Sequence, residues 1–320
     1  MRFVLGVLGF CLWGICFAAG SIFGFVGRSR VVSETLPLIL TNEPPTKTFE
    51  RELQGERDYL NVLILGCDEE RYYTPASSKK PGQIIEKASR SDMMMVAKID
   101  FGHKRITGIS IPRDLEWSVA GYRAQKINAY HKIGLDEGGP DRAKELAKQA
   151  AEGVVGVHID RVVVLNYDAF KGMIDRLGGI DVFVPRNMDY DDFRGGLHIH
   201  LKKGRQTLSG YDAMCYVRYR HGDSDFKRQE RQKDLMMAVK DRTVQKWQQA
   251  PEVADSSREI LGNAFTFREI GALMLFAKKL DGDGIKMDMV PIKEREGSYR
   301  LDIDREELEK RLAALHFTGE

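Results

Sequence analysis

Cysteine is scarce in this chain, with four among 320 residues, and two of these, Cys11 and Cys16, fall in an uncharged N-terminal run. Cys67 and Cys215 are too few for a disulfide framework, and no CxxC or Cys/His spacing suited to zinc occurs. Both are expected as buried free thiols, with a Cys67–Cys215 bridge as the alternative in an oxidising compartment. A dominant sign of charge is lacking as well: 49 Lys and Arg face 47 Asp and Glu, a formal net charge of +2. A dedicated DNA-binding domain is usually strongly basic, so this balance argues against one. There is no internal repeat and no low-complexity tract. What is there is a chain with 30% charged and 42% hydrophobic residues, the proportions of a folded body with one large core.

Residues 3–26, "FVLGVLGFCLWGICFAAGSIFGFV", hold no charged side chain. As a helix this run spans ~36 Å, enough to cross a hydrocarbon layer of about 30 Å. Ala18-Ala19-Gly20 would suit a signal-peptidase site, but the apolar run continues to Val26, further than a cleaved signal needs. A membrane anchor over residues 1–30 is the expectation. Arg2 flanks one side and Arg28 and Arg30 the other, so the basic residues alone do not orient it. Residues 31–58, with Pro37, Pro44 and Pro45 and no sustained apolar period, read as a linker to a body over 59–320.

Within that body, "YLNVLILG" (59–66), "MMMVAKID" (93–100) and "RITGISIP" (105–112) read as buried strands, the last two joined by a hairpin at "FGHK". "PDRAKELAKQAAEG" (140–153) opens on proline and closes on glycine, as helices do. "IDRVVVLN" reads as a strand, "YDAFKGMIDRL" as a helix capped by Asn166, and "IDVFV" as another strand. Ser209 caps a further helix. "SDFKRQERQKDLMMAVKDRTVQ" is a long helix, "IKMDMVPI" and "SYRLDID" are strands, and "REELEKRLAALH" is a helix. This order predicts a mixed α/β fold around one sheet with helices on both faces.

Charged groups collect where these strands end. "GCD" puts Asp68 just beyond the first strand, "SRSD" puts Arg90 and Asp92 at the start of the second, and "IPRDL" puts Arg113 and Asp114 after the third. Loops at strand ends carry sites because the sheet holds them rigidly. Asp68 and Asp92 are candidate Mg²⁺ ligands, since this hard ion takes one or two carboxylates plus phosphate and water. Each aspartate by itself also suits a turn or cap. Further on, "YVRYRHGDSDFKRQERQ" (216–232) brings Arg218, Arg220, Arg228 and Arg231 together. Arg228, Arg231 and Gln232 share a helix face, and Arg218 and Arg220 are expected to share one side of an extended segment before it. Guanidinium forks match phosphate oxygens two at a time, so the cluster suits a phosphate clamp. The same residues also fit a surface face neutralised by Asp223, Asp225 and Glu230.

In order along the chain, "LNVLILGCD", "SRSDMMMVAKID", "ITGISIPRDL", "KINAYHKIG", "VVVLNYDAFKGMIDRLGGIDVFVP", "LKKGRQTLSGYDAMCYVRYR" and "DFKRQERQ" resemble the LytR-CpsA-Psr family of bacterial envelope proteins. The resemblance spans roughly residues 59–242 and is looser in the tail. It implies a single mixed-sheet α/β domain behind one membrane helix, with a cytoplasmic N-terminus and the catalytic body outside the cell. It implies a Mg²⁺-dependent phosphotransferase that moves a glycopolymer from a polyprenyl-pyrophosphate carrier to a peptidoglycan hydroxyl. Carried over by position, Asp68 and Asp92 match the Mg²⁺-associated aspartates. Arg90, Arg113, Arg218, Arg220, Arg228 and Gln232 match the pyrophosphate-binding positions, with Arg113 and Asp92 closest to the chemistry. Arg231 belongs to the motif with a less direct contact, and Lys126 in "KINAYH" ranks second. Two departures stand out: Cys67 occupies a position where threonine is common, and the loop between Asp68 and Asp92 is long.

The five pyrophosphate arginines outnumber the two aspartates by three formal charges, enough to attract a pyrophosphate diester carrying about two negative charges. Phosphoryl transfer needs mostly positioning and charge stabilisation, which such a cluster supplies. "LMMAV" (235–239) and "IGALMLFA" (270–277) would suit a lipid slot, although such faces more commonly fill a core. A hydrolase of the same pyrophosphate could share this clamp. A membrane-tethered transcriptional attenuator is the third reading, disfavoured because acids interleave with the arginines and the body is expected outside the cell, away from nucleic acid.

Overall fold

The computed structural model describes residue 38 and residues 43–53, 57–67, 70–73, 84–87, 91–192, 197–219, 225–245, 264–280, 284–294 and 301–317. The expected anchor over 3–26 lies outside them, and among the described residues no helix is long and apolar enough to cross a membrane. Two short helices, α1 (Pro45–Thr48) and α2 (Glu50–Leu53), precede β1 (Tyr59–Cys67). The hairpin β2 (Glu70–Tyr73) and β3 (Ile84–Lys87) follows, then β4 (Ser91–Asp100), β5 (Arg105–Ser110), β6 (Glu116–Trp117) and β7 (Gln125–Lys126). The long α3 (Ala129–Val155) leads to β8 (Arg161–Asn166), α4 (Tyr167–Arg176), β9 (Ile180–Val184), β10 (Met188–Asp192), β11 (Leu197–Leu201) and β12 (Gly204–Leu208). Then come α5 (Gly210–Arg218), α6 (Asp225–Gln245), α7 (Phe267–Ala277), β13 (Ile285–Met289), β14 (Ile292–Glu294), β15 (Leu301–Ile303) and α8 (Arg305–Ala314).

The central sheet has five strands in the order β13-β5-β4-β1-β8. Strand β4 runs antiparallel to β1 and β5, while β8 is parallel to β1 and β13 is parallel to β5. Four strands therefore point one way, and their carboxyl ends share one edge with the start of β4. Both faces of the sheet are covered, which is why β1 is a nearly unbroken apolar run. Leu63, Leu65, Cys67, Met94 and Val96 pack with Leu146, Ala147, Ala150 and Val154 of α3 and with Leu308 and Leu312 of α8. Leu60, Val62 and Val163 pack with Ile270 and Phe276 of α7 and with Phe49 and Leu53. Each fully buried side chain of this kind contributes about 1.5–3 kcal/mol.

The stretch read as a linker therefore needs correction in part, because Leu38, Phe49 and Leu53 are core residues and Pro45 opens a helical turn. The helix expected from Pro140 is the second limb of α3, which breaks at Gly138-Gly139. The two limbs touch at Gly134, where a Cβ would lie 2.5 Å from the Cα of Ala143. Of the segments offered as a lipid slot, 270–277 packs into the core through Ile270, Ala272 and Phe276, whereas in 235–239 Leu235 is core and Met237 and Ala238 line a cavity of about 1050 Å³.

That second lobe is built from α4, α5, α6 and two small sheets, β10-β11 and β12-β9. Leu197, Ile199 and Leu201 point inward and alternate with exposed His198 and His200. Cys67 and Cys215 are both buried free thiols, and burial pushes the Cys215 thiol up to about 11.

Candidate functional site

The carboxyl edge of the central sheet gathers the strand-end motifs. Strand β1 ends at Cys67, which faces Ser91 across the ladder, while Gly66 faces Met93. Asp92 is thus the extra residue of a bulge on β4, a distortion that re-aims a strand where it borders a site. Gly66 leaves room for it: a Cβ there would already be 3.0 Å from the Cβ of Met93. Asp68 and Arg90 lie outside the described residues, as does the side chain of Asp92. Their chain neighbours Cys67 and Ser91 are the paired residues of the ladder.

Next to them β5 continues through Ile111, whose N–H donates to the Met94 carbonyl (2.8 Å), and delivers Arg113 and Asp114 to the same edge. Arg113 is part-exposed, and its Nε donates to Asp114 Oδ2 at 3.4 Å. Lys126, on β7, donates to Asp114 Oδ1 at 2.6 Å. One carboxylate thus links the two basic residues that the sequence put in separate motifs. The Lys126 hydrogen bond, ahead of the opposing effect of burial, holds the Asp114 carboxyl below the usual aspartate range. A carboxylate stabilised in this way is a weak proton acceptor, so it suits orienting Arg113 better than acting as a base.

The N-terminus of α3 closes this edge. Its cap residue is Asn128, whose backbone N–H donates to the Arg113 carbonyl at 3.4 Å. The buried side-chain oxygens of Asn128 and Ser91 have no hydrogen-bond partner among the described residues. His131, one turn into α3, is buried with Nδ1 3.7 Å from Cys67 Sγ. Ser91, Asn128 and His131 were not singled out from the sequence. Asn128 stands where a capping asparagine is expected, yet its side chain makes no cap hydrogen bond, so no capping signal accounts for it.

The second group of arginines sits on helices. Ser209 caps α5 by accepting from the Asp212 N–H, and α5 runs to Arg218. Arg218 is therefore the last helical residue and not part of an extended segment; the buried face of Ala213, Met214 and Tyr216 carries the helix through it. It is half-buried, close enough for its charge to act on the Cys215 thiol. Arg220 and the side chains of Arg228 and Gln232 lie outside what is described.

Arg231 is fully described, and only 3% exposed. Its Nε donates to the Tyr216 carbonyl at 3.0 Å and its Nη2 to the Tyr219 carbonyl at 2.5 Å. Carbonyls at a helix end have no partner within the helix, so Arg231 both caps α5 and ties α6 to it. Burial pushes the Tyr216 phenol up to about 12.

The model of the LytR_cpsA_psr family matches residues 35–316, nearly the whole described body. The chain belongs to this family. It is 27% identical over 247 residues to the polyisoprenyl-teichoic acid–peptidoglycan teichoic acid transferase TagT of Bacillus subtilis, covering 76% of this chain and 70% of that protein. TagV of the same organism, named for the same transfer, is 37% identical over 160 residues. The regulatory protein MsrR of Staphylococcus aureus is 30% identical over 186 residues. The matched regions span only 39% of TagV and 49% of MsrR. The crystal structure of B. subtilis TagV superposes with a TM-score of 0.59 at 26% identity, covering 82% of this chain and 97% of that one. This member of the LytR-CpsA-Psr family thus has the mixed α/β sheet its motifs predicted.

Proposed function

We propose that this chain is a phosphotransferase that moves a glycopolymer from a polyprenyl-pyrophosphate carrier to peptidoglycan. The observation that carries the proposal is the carboxyl edge of the sheet, where a bulge at Asp92 lies beside the Arg113–Asp114–Lys126 cluster. In open α/β sheets this edge is where ligands bind. The names of TagT and TagV supply the substrate class.

In the reaction an acceptor hydroxyl oxygen forms a bond to the phosphorus that carries the glycopolymer. The bond from that phosphorus to the bridging oxygen breaks, polyprenyl phosphate leaves, and the hydroxyl proton passes to a base. Arg113, oriented by Asp114, stabilises charge on the transferred phosphate, with Arg90, Arg218, Arg220, Arg228 and Gln232 holding the pyrophosphate. Lys126 keeps Asp114 in place.

Asp68 and Asp92 would hold a Mg²⁺ ion. Carboxylate oxygens suit this hard cation, and the neighbouring buried hydroxyl of Ser91 has no hydrogen-bond partner among the described residues, as a polar atom reserved for a ligand would. Such an ion, when bound, draws charge from the phosphate oxygens and eases departure of the lipid phosphate. Residues 3–26 would anchor the body on the outer face of the membrane, so protease added to spheroplasts should digest it without lysis.

The experiment is incubation of the full chain with a polyprenyl-pyrophosphoryl sugar, Mg²⁺ and peptidoglycan fragments, with and without chelator. A phosphodiester-linked product that disappears on chelation, and in Asp68→Ala and Asp92→Ala, is expected. Free sugar phosphate alone would mean hydrolysis, and no turnover of either kind would return the regulatory reading suggested by the name of MsrR.

A further inference from the structure

The two-stranded ribbon β12-β9 and the helix α6 flank a groove to which the transfer reaction has so far given no task. Strand β9 alternates, with Val182 and Val184 buried and Phe183 turned outward. Phe183 is 56% exposed, more than any other large apolar side chain among the described residues. Arg205 of β12 faces it across the ladder, so the two share the outer face of the ribbon. On α6, Glu230, Asp234 and Met237 follow at spacings of four and three, one stripe along a helix. Ribbon face and helix stripe together line a cavity of about 1050 Å³.

We infer that this groove binds an uncharged glycan chain and, resting on the transfer reading, that it seats the peptidoglycan strand that accepts the glycopolymer. A sugar ring has apolar C–H faces and a rim of hydroxyls. The exposed ring of Phe183 and the Met237 side chain suit the faces. Glu230 and Asp234 can accept hydroxyl protons, and Arg205 can donate to hydroxyl or acetamido oxygens. The lining holds four carboxylates and four basic side chains, a formal charge of zero. A prenyl chain would cut these groups off from water with nothing to bond, and a phosphate polymer would meet as many repelling charges as attracting ones. A neutral, hydroxyl-rich chain meets neither cost. The volume lies at the upper end of the roughly 300–1,000 Å³ of small-ligand sites, room for several sugar units rather than one.

The groove is also fixed relative to the transfer site. Arg231 lines it, and the bonds of Arg231 to the Tyr216 and Tyr219 carbonyls lock α6 to the end of α5. The last residue of α5 is Arg218, one of those assigned to the pyrophosphate. A glycan strand held in the groove would thus be held in register with the phosphate it attacks, which turns an encounter of two polymers into a positioned step.

The test is calorimetric titration of the full chain with chitotetraose, an uncharged chain of four N-acetylglucosamine units, in a detergent without a sugar head group and with no lipid carrier present. Saturable binding of one tetramer per chain is expected. Phe183→Ala should weaken it about tenfold or more, Glu230→Gln and Arg205→Gln by several-fold each, and Phe183→Tyr should keep it. Ile292→Ala, which trims an exposed apolar side chain on β14, should leave it unchanged. No binding by the unaltered chain, equal binding by Phe183→Ala, or tighter binding of poly(glycerol phosphate) than of the tetramer would overturn the glycan site. In the transfer assay Phe183→Ala should raise KM for peptidoglycan fragments about tenfold with kcat little changed. An unchanged KM would overturn the acceptor role. If the chain transfers nothing, that role falls with the transfer reading, while the tetramer titration still decides the glycan site.

Discussion

Two regions of this molecule present arginines, and they use them differently. At the carboxyl edge of the central sheet Arg113 leaves a buried strand on a loop, stays part-exposed, and shares one carboxylate with Lys126. In the helical lobe Arg231 is buried and spends its donors on the carbonyls of Tyr216 and Tyr219. Both residues stand in dense charged motifs. The difference is what surrounds them: a sheet edge has loops that face solvent, while the junction of two helices has unpaired carbonyls to satisfy. Burial separates the two settings: the buried arginine fastens two helices, and the part-exposed one stands at a solvent-facing edge beside a carboxylate.

This contrast can be broken by substitution. The largest effect is expected for Arg231→Ala, which strands two carbonyls at the α5–α6 junction. Loss of charge-assisted hydrogen bonds worth ~1.5–3 kcal/mol each should lower the unfolding free energy by about 3 kcal/mol, read by denaturant titration. Arg113→Ala should barely move the same curve. Gly134→Ala comes next, because its Cβ would meet the backbone of Ala143 at 2.5 Å; overpacking of this kind costs about 1–3 kcal/mol.

The smallest effect belongs to Asp114→Asn. The folded carboxyl lies below its ordinary value through Lys126 and Arg113, so it adds stability that is complete above the usual aspartate pKa of about 3.9 and is lost as pH falls through the folded value. The group is two-fifths exposed, so solvent screening limits the contribution to below about 1 kcal/mol. The unfolding curves of Asp114→Asn and the unaltered chain should differ slightly at neutral pH and merge in acid.

The same contrast explains what the sequence disclosed. The sheet was legible because β1, β4 and β5 are buried on one or both faces and read as apolar runs, and their charged ends then stood out as a candidate site. The helical lobe was less so. Arg218 read as extended because Val217, Tyr219 and Arg220 resemble a strand, whereas the Ser209 cap and the buried face of α5 carry the helix through it. The hairpin β10-β11 went unread although Leu197, Ile199 and Leu201 alternate strictly with polar residues. Segment 31–58 looked like a linker because its core residues, Leu38, Phe49 and Leu53, are too widely spaced to form a period. The Asp92 bulge is set by register between two strands, which no single segment encodes.

The central claim is that the sheet edge and the end of α5 serve one pyrophosphate. It is tested most directly by the affinity of the full chain for a polyprenyl pyrophosphate after Arg113→Lys and, separately, Arg218→Lys. Lysine keeps the charge and loses the fork, so each change should weaken binding about tenfold or more. Lys310→Gln, which breaks an exposed ion pair with Glu306 on α8, serves as the reference. If either arginine variant binds as tightly as that reference, its region takes no part in holding the pyrophosphate.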